Sequence, residues 1–399
     1  MIAGKTDVSR DLTPAASEAA ARNGYNGSAP AVTYPYSDGV IRNGVAVILQ
    51  QTQKALLATM FLPEVTVANR AVAVIEPRDR PCILALGNSG TDIEIADSTR
   101  LYLTDCSAVA DSISATAIDL HGSTSSIAAT TLVTVGEVSL QGNPIDPAAA
   151  PPQFDLTSPA MIGASSVPDP YAAALTHAFL TSAMPTSGRC RSSRAGGVRT
   201  YTGNCIVAGT SLTQTRIKLS ANTQISGAWT IRAGQTVDLS PGAYWVSGDL
   251  SLQMTAVLKC SACDNNKGVG ATIILPAQAN TVGAISIASG AIINLNAPNA
   301  GPFAGLLIVQ DSNGLPPGTR YASSYSTIGG APGSTLNGLL YFPNSSLTFH
   351  GDPSVAGLKC LLVVVSTMTI DADSSLNSFG CVSAGLTNFL TVNTVALAE

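Results

Sequence analysis

The sequence predicts a mainly β protein, a parallel β-helix (solenoid) with a small N-terminal α+β module. Two observations carry this. The first is composition: hydrophobic residues make up 45% but aromatics only 5% and charged residues only 11%, against about a quarter charged in ordinary soluble domains. Ser, Thr, Asn and Gly fill the remainder, which suits short strands and tight turns and does not suit a helical, Lys/Glu-rich enzyme. Leu, Ile and Val recur throughout, so the chain is not disordered. The second observation is spacing. Strand-sized apolar pairs recur at Ile93/Ile95, Leu101/Leu103, Ile118/Leu120 and Val138/Leu140, and Ile93 to Ile118 spans 25 residues where Ile118 to Val138 spans 20. A period of 20–25 residues with polar turns between is a solenoid pattern. An all-β sandwich also gives short strands at regular spacing.

Five segments follow in order. Residues 1–29 read as an N-terminal helix and tether, the helix covering 11–23 and stopping near Asn23-Gly24. Residues 30–78 read as a small α+β module, with strands at 44–50 and 65–75 around a short helix at 54–61. Residues 79–142 form a first solenoid segment. Residues 143–205 are a Pro-rich insertion, with a helix at 171–180 started by Asp169-Pro170 and a loop carrying Arg189, Arg191, Arg194 and Arg199. Residues 206–399 form a second solenoid segment. Within it the longer apolar runs at 306–309 and 361–365 suit strands buried on both faces.

Eight cysteines fall as neighbours, which indicates an oxidising compartment. The expected bridges are Cys82–Cys106, Cys190–Cys205, Cys260–Cys263 and Cys360–Cys381, because cysteines one coil apart come within bridging distance. Zinc is disfavoured, since only Cys260-x-x-Cys263 has ligand spacing and no second half-site lies near. The net charge of −5 comes without a basic stripe along the chain, which excludes nucleic acid as the expected partner. No apolar run reaches the ~18 residues of a membrane span, and the first 28 residues lack the apolar centre of a secretory signal.

The stretch Leu239-Ser-Pro-Gly-Ala-Tyr-Trp-Val-Ser-Gly-Asp-Leu-Ser-Leu252 resembles a segment of TadG-like proteins of the tight-adherence (Flp) pilus system. So do residues 271–275 (ATIIL), 301–310 (GPFAGLLIVQ), 336–343 (LNGLLYFP) and 347–351 (LTFHG). The front half agrees at 20–24 (AARNG), 65–73 (VTVANRAVA) and 82–86 (CILAL), and the ending 395–399 (VALAE) does too. The likeness runs over nearly the whole chain, and the order of the pieces carries it. It implies an envelope protein on the periplasmic or extracellular side, whose partners are pilus-assembly or envelope proteins and, as a further expectation, surface polysaccharide. The family's N-terminal membrane anchor is not in these residues, so membrane attachment is expected only through an upstream segment.

The resemblance carries over no catalytic motif, and no catalytic residue, metal or cofactor is expected. His121 and His350 each follow a strand and precede Gly, as turn residues do, and His177 reads as a surface or packing residue. Asp92 and Glu94 flank Ile93 on one expected strand face, with Asp97 beyond. Two carboxylates there could bind calcium or act as an acid/base pair on sugar, and the plainer reading is a solvated face. The four arginines between 189 and 199 could meet an anionic polysaccharide or an acidic partner, and the plainer reading is a loop held by a disulfide. Residues 329–333 lack the Lys-Ser/Thr of a phosphate loop. The expected function is therefore a non-enzymatic component of pilus assembly or surface attachment. The alternatives are a polysaccharide-active enzyme on a β-helix and a carbohydrate-binding adhesin that uses Trp229, Tyr244 or Trp245.

Overall fold

The structure is a computed structural model that describes residues 12–22, 24–37, 44–54, 64–79, 81–146, 151–264, 267–278, 281–312, 325–350, 360–377, 381 and 392–397. It is mainly β, and it divides into two units, residues 1–78 with 391–399, and residues 79–390. In the smaller unit the helix Thr13–Arg22 precedes a four-stranded sheet. Gly24, at φ +79°, turns the chain just past the helix, the usual left-handed stop. The sheet runs Ala31–Tyr36, Gly44–Lys54, Glu64–Asp79 and Val392–Leu397. Its last strand belongs to the segment expected to end the solenoid. Lys54, expected to open a helix, instead closes a strand paired to Glu64; the remainder of that expected helix, 55–61, lies outside the described residues.

The larger unit is built from parallel ladders. The pairing of Ile93 with Ile118 and of Ile118 with Val138 shows that the 25- and 20-residue spacings are strand registers. The first ladder runs through Cys205–Ala208, Thr223–Ser226, Gly242–Val246, Ala271–Leu275, Leu306–Gln310, the first half of Thr335–Phe349 and the first half of Leu361–Ile370. It then continues into Pro81–Ala85, Ser107–Ala110 and Leu132–Thr134. The early segment thus stacks on the end of the late one, with Val363 opposite Ile83 and Met368 opposite Ile93. Residues 79–142 and 206–377, expected as two separate stretches, pair into one run of parallel ladders, ordered differently in space from their order in the chain.

The inward rows of these strands form the core, from Ile83 and Ile93 to Ile273, Ile293 and Leu340. From Trp245 onward the outward row of the first ladder is also apolar. Trp245, Ile274, Val309, Tyr341, Val364, Leu84, Val109 and Val133 lie opposite one another rung by rung, and every one is buried. Period-two alternation would give half-exposed strands, yet Pro81–Ala85, Ala271–Leu275 and Leu306–Gln310 are buried at every position.

The Pro-rich insertion provides the cover, as a strap that meets the ladder in stacking order. Met161 bridges Val133, and the Val167 amide donates to Asp111 Oδ1 at 2.8 Å. Tyr341 donates its hydroxyl to Asp169 Oδ2 at 2.7 Å, and Tyr171 sets its ring edge-on to Tyr341 at 6.0 Å. Farther along, Trp245 donates Nε1–H to the Leu180 carbonyl at 2.7 Å, and Phe179 packs on Phe303 at 5.5 Å. Arg189 then bridges Ile206 beside the Cys190–Cys205 disulfide. Met161 and Arg189 pair with the ladder as its end rungs, and proline suits the path between them, because an extended segment lying across a sheet face needs no ladder hydrogen bonds of its own.

The strap corrects two expectations. The helix expected at 171–180 is a single turn closed by Leu175 N–H on the Tyr171 carbonyl, followed by the helix His177–Thr181 with Thr176 as its cap. A continuous helix would not lay Tyr171, Leu175 and Leu180 all against the ladder while bringing His177 to Asp311. The expected arginine loop is a hairpin, Arg191–Ala195 paired antiparallel with Val198–Thr202. Its two-residue turn, Gly196-Gly197, has φ of +56° and +78°, the geometry glycine supplies in type I′ turns.

If the strap holds the outward apolar row, Leu180→Ala, at a position with 0% exposure, should cost about 2–5 kcal/mol. Limited proteolysis should then cut first between residues 165 and 190. An unchanged denaturation midpoint would show that the strap is not structural.

Candidate functional site

Four bridges join Cys82–Cys106, Cys190–Cys205, Cys260–Cys263 and Cys360–Cys381, with Cα separations of 5.6, 4.8, 5.2 and 4.7 Å. These are the pairs expected from the sequence. They link neighbouring coils or turns, and Cys190–Cys205 pins the end of the strap to the ladder. All eight cysteines are thereby engaged.

The second ladder places the expected carboxylates. It runs through Trp229–Ile231, Leu250–Leu252, Ile285–Ile287 and Tyr325–Ile328, then the second halves of Thr335–Phe349 and Leu361–Ile370, then Ile93–Ile95, Ile118–Leu120 and Val138–Leu140. Its outward row is Thr230, Ser251, Ser286, Thr327, Thr348, Thr369, Glu94, Asp119 and Ser139. Hydroxyls therefore repeat at the ~4.8 Å strand spacing, and Tyr325 stands beside them, 71% exposed.

Ile93 and Ile95 point inward as expected, but Asp92 does not join Glu94 on the open face. Asp92 is 0% exposed, and its Oδ2 accepts from the Ser112 amide of the next coil at 2.9 Å. The neighbour of Glu94 is instead Asp119, which accepts from Ser139 Oγ at 2.5 Å and from the Gly142 amide at 3.0 Å. Those bonds tie Asp119 into the turn. Asp97 sits exposed in a turn at φ +51°.

His121 lies 3.5 Å from Asp119, and His350 contacts Asp371 on the next rung. Both occupy the turns read from the sequence, and their amides bond to Ile95 and Ile328. His177 does more than the sequence suggested: its Nδ1 meets the fully buried Asp311, whose Oδ2 also accepts from the Ala277 amide at 3.1 Å. The contact fastens the strap helix to the ladder across 134 residues of sequence, and no local pattern around either residue signals it. Trp229, Tyr244 and Trp245 are all 0% exposed. Tyr244 donates to the Ser240 carbonyl and Trp245 to the strap, so none of the three offers a sugar platform.

The recess lined by Pro81, Leu84, Tyr171, Leu339 and Leu362 has room for about one water. Among the described residues no group of three or more His, Cys, Asp or Glu is placed to hold a metal ion.

The perturbed acids lie where the strap meets the ladder. Burial pushes Asp111 up to about 6, partly offset by the Val167 amide. Burial also raises Asp169, against the opposing bonds from Tyr341, Tyr171 and Ala172. Tyr171 is pushed up to about 12 by burial and by the neighbouring Asp169 charge, and Tyr341 is raised by the same two causes. No protein-family model, curated protein or solved structure matches this chain.

A carboxyl raised on folding is held protonated by the folded state. Between pH 3.8 and about 6 the native chain therefore binds more protons at Asp111 than the unfolded chain does, and stability falls as pH rises through that window. Asp111→Asn keeps an acceptor for Val167 and removes the titration. The variant should match the parent near pH 3.8 and exceed it in denaturation midpoint above about pH 6. Equal midpoints at both values would exclude this linkage.

Proposed function

We propose that this chain is a non-enzymatic envelope protein linked to tight-adherence (Flp) pilus assembly or surface attachment, and that its larger unit is a three-faced parallel β-solenoid on the periplasmic or extracellular side. The observation that carries the reading is the bridging of all eight cysteines within a single laddered stack, because such frameworks persist in oxidising compartments. Among the described residues no helix is long and apolar enough to cross a membrane. The ordered likeness to TadG-like segments supplies the pilus link.

Three outward rows support the solenoid reading. One is apolar and strapped, and one is a row of hydroxyls. The third, on Arg216–Leu219, Thr236–Leu239, Val257–Lys259 and Ile292–Asn296, alternates Lys218, Asp238, Lys259 and Asn294. Stacked coils hold each other along the axis, so such a body is stiff and suits display at a surface. One observation favours the alternative, a polysaccharide-active enzyme: Glu94 opens to solvent beside Asp119 at the end of the hydroxyl row.

Deleting the gene should impair surface attachment and leave carbon-source use unchanged, and the protein should fractionate with the envelope. Purified protein should not turn over pectin, alginate or chitin-type polymers. Turnover abolished by Glu94→Ala, or normal attachment in the deletion strain, would sink the pilus reading.

A further inference from the structure

The net charge of −5 conceals a sharp division. From Pro170 to Val237 the chain carries Arg189, Arg191, Arg194, Arg199, Arg216, Lys218 and Arg232 and not one Asp or Glu, whereas the rest holds all 25 acids and 13 of the 20 Lys and Arg. The fold gathers most of these cations at one end of the stack, where the hairpin Arg191–Ala195/Val198–Thr202 pairs with Arg216–Leu219. The strand Arg191–Ala195 is exposed at every residue.

Register decides which side each cation takes. Tyr201 and Leu219 face the core, so Arg191, Ser193, Thr200 and Lys218 share the outer side with Arg216. On the other side Arg194 lies directly opposite Arg199, a like-charge pairing that destabilises a sheet when nothing neutralises it. Arg199 gives Nη1–H to Ser192 Oγ at 3.0 Å, but its Nε is buried and meets no acceptor among the described residues. Asp238, opposite Lys218 on the next strand, bounds the patch. A charged edge strand also blocks sheet-to-sheet aggregation. That role explains Arg191 and Arg194 but not Arg199, Arg216 or Lys218, which lie off the edge.

We infer that this end of the stack is a binding surface for a linear anionic polysaccharide, one that bears carboxylates along its length. The guanidiniums supply forked donors for carboxylates, and Ser193 and Thr200 add hydroxyls that suit sugar. None of the exposed large apolar side chains lies between Pro170 and Val237, so the patch lacks the apolar wedge of a membrane-surface binder. Tyr201 is buried, so it offers no exposed ring for stacking nucleic-acid bases. The choice of polysaccharide rests on the envelope reading above, whereas the charge division stands without it.

The test measures binding of the whole chain to polygalacturonate, neutral dextran, phosphatidylglycerol vesicles and single-stranded DNA at two salt concentrations. Binding to polygalacturonate alone is expected, weakening with salt as counterions compete. Arg191→Gln/Arg216→Gln, both exposed on the outer side, should weaken it about tenfold or more. Lys267→Gln, in a pair with Asp264 at 3.6 Å, should leave it unchanged. No polygalacturonate binding, equal loss in both variants, or tighter binding of vesicles or DNA would overturn the proposal. Each of those results leaves the attachment phenotype of the deletion strain as a separate question.

Discussion

The structure depends on one apolar row. Trp245, Ile274, Val309, Tyr341, Val364, Leu84, Val109 and Val133 line the outer side of the first ladder, and side chains of this size stabilise the fold by about 1.5–3 kcal/mol each when fully removed from water. An uncovered row of this length would be a contiguous exposed apolar face, prone to association. The chain covers it with its own insertion, and that cover has a topological consequence. The strap leaves the stack beyond Leu132–Thr134 and returns to it at Cys205–Ala208. The later coils then wind back until Leu361–Ile370 meets Pro81–Ala85. The contact is very long in sequence, so its loop-closure cost is met by a wide, dry interface rather than by local preference.

The polarity of each outward row decides what lies on it. The apolar row is strapped, the hydroxyl row of the second ladder stays open, and the mixed-charge row of the third is solvated. The same logic explains the perturbed acids. Asp111 on the ladder and Asp169 on the strap lie where the two pack together, and burial there raises both carboxyls. The bridges reinforce this arrangement at short range. Cys190–Cys205 closes a 15-residue loop, which by chain entropy alone is worth about 3 kcal/mol, at the point where the strap ends and the ladder begins.

The interior of the larger unit is tightly filled. The core is filled by Ile, Leu and Val, and the recess beside Tyr171 is water-sized. Chemistry-bearing side chains are mostly committed to the fold: Asp92 to Ser112, Asp119 to Ser139 and Gly142, Asp311 to His177 and Ala277. Among the described residues, the open surfaces include a hydroxyl row, the exposed Tyr325 and a cationic end.

The sequence by itself determined the mainly β character, the spacing of Ile93, Ile118 and Val138, and the disulfide pairs, because each depends on residues close to one another in the chain. Ile93, Ile118 and Val138 repeat at the distance that brings them into register, and Cys82–Cys106 and Cys360–Cys381, 24 and 21 residues apart, follow the same spacing, while Cys190–Cys205 and Cys260–Cys263 close shorter loops. The hairpin carries a local signal in Gly196-Gly197, but its strands are polar and Arg191–Ala195 is fully exposed, so no apolar alternation marks them as strands. Tertiary structure alone decided the rest. Asp92 is buried because Ser112 of the next coil needs an acceptor, and Glu94 gains Asp119 as its neighbour through stacking. His177 reaches Asp311, and the early coils dock on the late ones, through a strap whose partners lie far along the chain. No local pattern encodes such contacts, since each is fixed only by which outward row is apolar enough to require a cover.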